Sequence, residues 1–246
     1  MSRTDKDSIT AFNLTPGRII AGKYEVLSMI GRGWEGEVYK IRELRTGIER
    51  AAKLFFPQRN PQHKTSKYYA KKLHKLRNCP ILIQYYTEEQ LVFRKIPITA
   101  LISEYVEGKL LNQFVRQAPG GRLSPYVGLH LLHALVKGIE QIHQQNEYHG
   151  DLHTQNVIVT RFGLNFHLKL VDLYNWSTHV RENRKDDICD TIRIFYDCLG
   201  GARYYSSHPQ TVKSICLGLK RTLILKKFRT ASQLREYLET LEWSDC

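Results

Sequence analysis

At 246 residues the chain has the size of one large domain or of two lobes around a cleft, and a hydrophobic content of 42% in alternating apolar and polar stretches excludes a disordered polymer. No apolar run reaches the roughly 18 residues that cross a bilayer, and the polar start from Met1 to Asp7 lacks the apolar core of a secretory signal, so the expected address is cytoplasmic. A net charge of +13 favours acidic partners without choosing among nucleic acid, anionic lipid and nucleotide phosphate.

Residues 1–17, ending in Pro16-Gly17, read as a polar tail. From Ile19 to about Glu104 the dominant period is two, in Tyr24 to Leu27, Glu37 to Ile41, Glu49 to Phe55, Gln90 to Phe93 and Thr99 to Ile102, which predicts short strands joined by turns. One helix interrupts them, Thr65 to Leu76, bounded by Asn60-Pro61 and Asn78-Cys79-Pro80. Lys67, Lys71 and Lys75 fall on one stripe of it, either a solvated face or a dock for an acidic partner.

After Gly108 the apolar residues recur at three- and four-residue steps, predicting helices at Leu110 to Gln117 and Ser124 to Gln145, the second opened by a Ser cap and a Pro in its first turn. A hairpin follows, Asn156 to Thr160 and Phe166 to Leu173 around Gly163, and then helices at Asp187 to Leu199, His208 to Leu223 and Ala231 to Leu241. The expected organisation is a tail (1–17), a small β-rich lobe with one helix (18–104) and a mainly helical lobe (105–246), with a hinge between Glu104 and Lys109. The five cysteines, Cys79, Cys189, Cys198, Cys216 and Cys246, form no CxxC pair and are expected to be reduced thiols.

Three stretches carry chemistry. Gly31-Arg32-Gly33-Trp34-Glu35-Gly36-Glu37-Val38 is a GxGxxG run followed by strand-like alternation. It reads as a hairpin whose missing side chains let backbone N–H groups approach phosphate oxygens. Ala51-Ala52-Lys53-Leu54, on the next predicted strand, makes Lys53 the candidate cation for α- and β-phosphates. In His149-Gly150-Asp151-Leu152-His153-Thr154-Gln155-Asn156, followed by Val171-Asp172, the loop and the hairpin behind it turn Asp151, Asn156 and Asp172 toward one point. Asn156 and Asp172 are hard oxygen ligands suited to Mg²⁺, and Asp151 suits a base for an acceptor hydroxyl.

In motif order the chain resembles the protein kinase superfamily from about Ile19 to Leu241, with an atypical, bacterial serine/threonine-kinase-like pattern and a secondary likeness of His149 to His153 to aminoglycoside and choline phosphotransferases. The resemblance implies an α+β, bilobal kinase-like fold and the cofactors ATP and Mg²⁺. Ser103 then resembles the gatekeeper, Glu104 and Val106 would meet adenine through backbone groups, and Ile30, Val38, Ala51 and Ile158 would pack on its faces. Gly31, Gly33 and Gly36 would cover the phosphates. Asp187 resembles the buried aspartate that opens a central helix and steadies the catalytic loop.

Four departures bear on function. Ala70 stands where the family's N-lobe helix carries the glutamate that pairs with the lysine, and no Asp or Glu occurs between Glu49 and Glu88, so Lys53 must find Asp172, the nucleotide or an acid from elsewhere. Gly150 replaces the arginine that senses a phosphorylated activation loop, and Leu173-Tyr174 replaces Phe-Gly. Only fourteen residues, 173–186, separate Asp172 from Asp187. These features leave three expectations: a kinase acting on Ser/Thr hydroxyls of an unknown protein, a small-molecule kinase, or a pseudokinase that binds nucleotide as a scaffold.

Overall fold

The computed structural model describes residues 9–173 and 179–241. The chain divides into two compact units, residues 1–78 with 83–106, and residues 79–82 with 107–246. The first unit ends at Val106, and a four-residue piece of the first half, Cys79–Leu82, belongs to the second unit.

The first unit is an antiparallel sheet in the order β1-β2-β3-β4-β6-β5, built from β1 (Ile19–Ile20), β2 (Tyr24–Arg32), β3 (Gly36–Glu43), β4 (Glu49–Phe55), β5 (Tyr85–Phe93) and β6 (Ile96–Glu104). The helix α1 (Lys64–Lys75) matches the predicted one to within a residue at each end. Alternation sorts the strands onto two faces. Tyr39 lies opposite Ala52, and Ala52 opposite Ile102, so these side chains share a face with Val26, Ile41, Leu54, Ile98 and Ala100 in one buried cluster. Lys67, Lys71 and Lys75 are exposed.

Residues 9–14 depart from the polar tail expected there. Ile9, Phe12 and Leu14 are 4%, 4% and 7% exposed and complete the sheet's core, with Phe12 stacked on Phe56 and edge-on to Phe93, both at 5.3 Å. Three apolar side chains scattered among polar neighbours show no periodicity, so the pattern hides them. Their burial stabilises by about 1.5–3 kcal/mol each, while ordering six residues costs about 1–2 kcal/mol each. The two nearly cancel, so the segment's polar contacts decide whether it stays down.

The second unit is centred on α3 (Pro125–Gln144), where Ser124 accepts a hydrogen bond from Val127 N–H at 3.3 Å as the expected cap. Around it lie α2 (Leu111–Arg116), α4 (Val180–Cys198), α5 (Ala202–Tyr205), α6 (Gln210–Cys216), α7 (Arg221–Lys227) and α8 (Ala231–Glu239). A three-stranded sheet runs β7 (Lys109–Leu110), β8 (Val157–Phe162), β9 (Asn165–Leu170). Cys79–Leu82 joins this unit through a parallel bridge from Leu82 to Leu170, and Ile81 packs so tightly on α3 that a Cβ at Gly138 would lie 2.0 Å from it.

Two helices differ from expectation. α4 starts seven residues before Asp187, over a polar stretch without apolar period, so Asp187 sits inside the helix rather than opening it. The expected helix from His208 to Leu223 is broken, because Leu217, Gly218 and Leu219 all adopt positive φ. Cys79, Cys198 and Cys216 are buried free thiols and Cys189 is a half-buried one; burial pushes the Cys216 thiol up to about 12. Among the described residues no helix is long and apolar enough to cross a membrane.

Candidate active site

In the first unit the glycine-rich stretch is a hairpin between β2 and β3. Its last cross-strand pair is Arg32 with Glu37, and Gly33 N–H donates to Gly36 O at 2.9 Å to close the turn. At Gly36 a Cβ would meet Leu54 O at 1.9 Å, so only glycine lets β3 run this close to β4. Space around Gly33 is open, and Gly31 lies opposite Val38. Val38 in turn lies opposite Lys53, bringing the glycine turn and the lysine onto neighbouring strands as expected.

Lys53 answers the question posed by the missing helix glutamate. Its Nζ lies 2.8 Å from Glu35 Oε2, within the glycine turn itself, with the lysine side chain only 13% exposed. The helix offers a ring instead: Tyr69, next to Ala70, faces Lys53 Nζ at 4.7 Å from its centroid, and Phe55 does so at 5.3 Å. Sequence reasoning searched the helix for an acid and passed over Glu35 because it sat inside a motif already read for its glycines. The signal available was an acid in the turn together with a stretch from Arg50 to Thr87 without one.

Of the apolar candidates, Val38, opposite Lys53, is half-buried, Ile30, next to Gly31, is exposed, and Ala51 is buried opposite Ser103. Glu104 N–H donates to Gln84 O at 2.8 Å, and its carboxylate accepts from Gln84 N–H at 3.1 Å. A ligand would therefore meet the Glu104 backbone through its carbonyl. Val106 is half-buried at the end of this unit.

In the second unit the loop from His149 to Asn156 is held by a fully buried carboxylate. Asp187 accepts from Gly150 N–H at 2.8 Å through Oδ1, and through Oδ2 from His149 N–H at 2.8 Å and His143 Nε2 at 3.0 Å. Three donors offset the cost of a buried charge. Gly150 has φ 84, a left-handed conformation that glycine adopts without strain, which gives this position a backbone reason for its residue.

Within the loop, Asn156 Nδ2 donates both to Asp151 O and to Asp151 Oδ2, each at 2.9 Å. The stretch before Asp172 is tied to the same loop: Val171 N–H donates to Asn156 O at 3.0 Å, and Val171 O accepts from His149 Nε2 at 3.1 Å. Asp172 itself sits at φ 56, a left-handed conformation uncommon for aspartate and a form of local strain seen at functional sites. Ile158 lies on β8, two residues beyond Asn156 and half-buried. Tyr174, part of the altered turn, lies outside the described residues.

Two histidines of this motif were given no role of their own by the sequence. His149 is fully buried and links the loop to Val171. His153 accepts from Gln155 N–H at Nδ1 (3.2 Å), which assigns its proton to Nε2, 3.6 Å from Asp151 Oδ2.

The predicted residues thus fall into two groups, one in each unit. The donor set in the second unit fits a hard divalent cation. Asn156 commits its nitrogen to Asp151, which leaves its amide oxygen as an acceptor, and Asp172, one residue beyond the Val171 N–H that bonds Asn156 O, is a second oxygen donor close by in the chain. Among the described residues no group of three or more His, Cys, Asp or Glu could hold a metal, so the remaining coordination would come from phosphate oxygens and water.

One further carboxylate in this unit titrates unusually. Burial, and then Asp187 and Asp186, push Asp190 up to about 6 from 3.8. The folded state therefore holds a proton that the unfolded chain releases. Asp190 costs nothing below about pH 4, progressively more from pH 4 to 6, and its full penalty above that. Asp190→Asn is expected to stabilise the protein by about 1–2 kcal/mol at pH 7.5, with the difference vanishing near pH 4. Thermal melts of both proteins across that range check it, and equal melts at pH 7.5 contradict it.

Comparison with known proteins gives the family. Residues 24–205 match the family model of the protein kinase domain. The Aurora kinase of Schizosaccharomyces pombe is 26% identical over 176 residues, 70% of this chain and 46% of that protein. The probable serine/threonine-protein kinase SCO3848 of Streptomyces coelicolor is 26% identical over 148 residues, 59% of this chain and 22% of that protein. PrkC, a serine/threonine-protein kinase of Bacillus subtilis, is 25% identical over 150 residues, 60% of this chain and 22% of that protein. The chain spans less than half the length of these curated relatives. With a family match over most of its length, a β-rich unit carrying one helix and a mainly helical second unit, the chain belongs to the protein kinase domain family.

Proposed function

We propose that the chain is an ATP-dependent phosphotransferase of protein-kinase type, moving the γ-phosphoryl group of Mg-ATP to a Ser/Thr hydroxyl. The observation that carries this reading is the paired loop: Asp151 and Asn156 are hydrogen-bonded to each other while Asp187 holds the backbone beneath them. An acceptor hydroxyl would lose its proton to Asp151 as its oxygen bonds to the γ-phosphorus and the bond from that phosphorus to the bridging oxygen of ADP breaks. Asn156 and Asp172 would hold Mg²⁺, which supplies charge neutralisation on the phosphate oxygens.

Lys53 would bind the α- and β-phosphates, oriented by Glu35 in place of a helix glutamate, and the backbone around Gly31, Gly33 and Gly36 would cover them. Ile30, Val38, Ala51 and Ile158 would pack on the adenine, with backbone groups of Glu104 and Val106 at its edge. The partnered lysine favours an active enzyme over a scaffold, since Lys53, Asp151 and Asn156 each keep an orienting neighbour.

A second reading, a small-molecule kinase, is favoured by one observation. Residues 173–179 are all that separates Leu170–Asp172 from α4, which leaves little chain to dock a peptide.

Incubation with Mg-ATP followed by mass spectrometry of the protein and of a protein lysate tests the proposal. Phosphoserine or phosphothreonine on either supports it. ADP formed only when a metabolite is added moves the acceptor to the second reading, and nucleotide binding without any ADP formation overturns both.

A further inference from the structure

We propose that residues 9–14 are a strap that fixes the glycine-rich turn, and that Glu37 is the positioning residue through which it acts. The consequence for nucleotide rests on the phosphate-binding reading above; the mechanical part does not.

Arg32 and Glu37 form the neck of the turn, the last pair before residues 33–36. Both are tied to the strap. Glu37, 0% exposed, accepts from Phe12 N–H and Asn13 N–H, each at 3.1 Å through Oε2, and its Oε1 lies 3.2 Å from the Arg32 guanidinium. Arg32 Nη2 donates to Thr10 O at 2.9 Å. Tyr39 extends the tie by donating to Glu37 and accepting from Leu14 N–H at 3.0 Å. Burial, together with the hydrogen bond to Glu37, pushes the Tyr39 phenol up to about 12, so it remains a donor at every working pH. A last contact, Gln58 Nε2 to Ile9 O at 2.8 Å, fastens the start of the strap to the segment between β4 and α1.

A glutamate with no solvent exposure is costly unless its charge is met, and here Oε2 takes its donors from the strap and Tyr39, while Oε1 makes no hydrogen bond among the described residues and has the Arg32 charge of the neck at 3.2 Å. Fold stability alone does not require an acid at this place, because an apolar residue on the core face of β3 would pack against the same cluster. What the carboxylate adds is a rigid link between residues 9–14 and the pair that closes the turn. Glu37 faces the core while Val38 faces the side of Lys53, so the strap holds the turn from behind and leaves the lysine face open. A turn held in this way presents its backbone N–H groups pre-ordered, which removes part of the ordering cost a ligand would otherwise meet.

Amide hydrogen exchange on the nucleotide-free protein, comparing wild type with Glu37→Gln and Phe12→Ala, tests the strap. The amide of Glu37→Gln turns an NH₂ group toward donors, and Phe12→Ala lifts the strap without touching the neck. Exchange at Gly33–Gly36 is expected to rise about tenfold or more in both variants, with α3 unchanged. The KM for ATP is expected to rise about 5- to 20-fold with little change in kcat, the mark of lost pre-organisation. A lower melting temperature with wild-type exchange at the turn overturns the proposal, and Phe12→Ala alone decides it if Glu37→Gln does not fold. Faster exchange at the turn in a protein whose wild type binds no nucleotide keeps the strap and removes the nucleotide reading.

Discussion

Asp151→Asn is expected to lower the single-turnover rate of phosphoryl transfer by about 10²–10⁴-fold while leaving the Kd for Mg-ADP within about threefold of wild type. The asparagine keeps the shape of the side chain but cannot take a proton. Asp151→Ala is expected to lose as much rate and also to weaken the dependence on Mg²⁺, because it removes one of the two hydrogen bonds that orient the Asn156 amide. Rapid-quench kinetics with a nucleotide-binding titration separates the two effects. An Asp151→Asn enzyme that retains wild-type rate removes the base from the scheme.

Glu35→Ala is expected to lower kcat/KM for ATP by about 10–100-fold, since misplacing a reacting or clamping group by about 1 Å costs that much. Lys53 would retain its charge and the rings of Tyr69 and Phe55, but not the carboxylate that fixes its ammonium 2.8 Å away. Glu35→Gln is expected to fall between the two, keeping a hydrogen-bond acceptor without the charge. Isothermal titration alongside steady-state kinetics also distinguishes the opposite role. If Glu35 competes with phosphates for Lys53, its removal tightens nucleotide binding, and that outcome contradicts the positioning role given to it here.

Much of the fold was legible because its signals are periodic. The strands from Tyr24 to Phe55, α1 and α3 follow from alternation at two, steps of three and four, and a Ser-Pro start. The strap was illegible because Ile9, Phe12 and Leu14 belong to no repeating element, and their burial depends on a sheet assembled from later residues. The break at Leu217–Leu219 was missed because two leucines fit a helical pattern and only the backbone reveals their positive φ. In the site, Asp151 and Asn156 could be singled out because their spacing matches a known motif, and the structure hydrogen-bonds them to each other. Glu35 went unassigned because its motif was read for its glycines, and the contact of His149 with Val171 was hidden because it joins residues 22 apart in the chain.

The most direct test of the central claim is a crystal structure with Mg²⁺ and a non-hydrolysable ATP analogue. The account predicts Lys53 on the α- and β-phosphates with Glu35 still beside it, and a metal held by Asn156 and Asp172 with Asp151 facing the γ-phosphate. A nucleotide bound elsewhere, or one bound with those four side chains turned away from its phosphates, contradicts it.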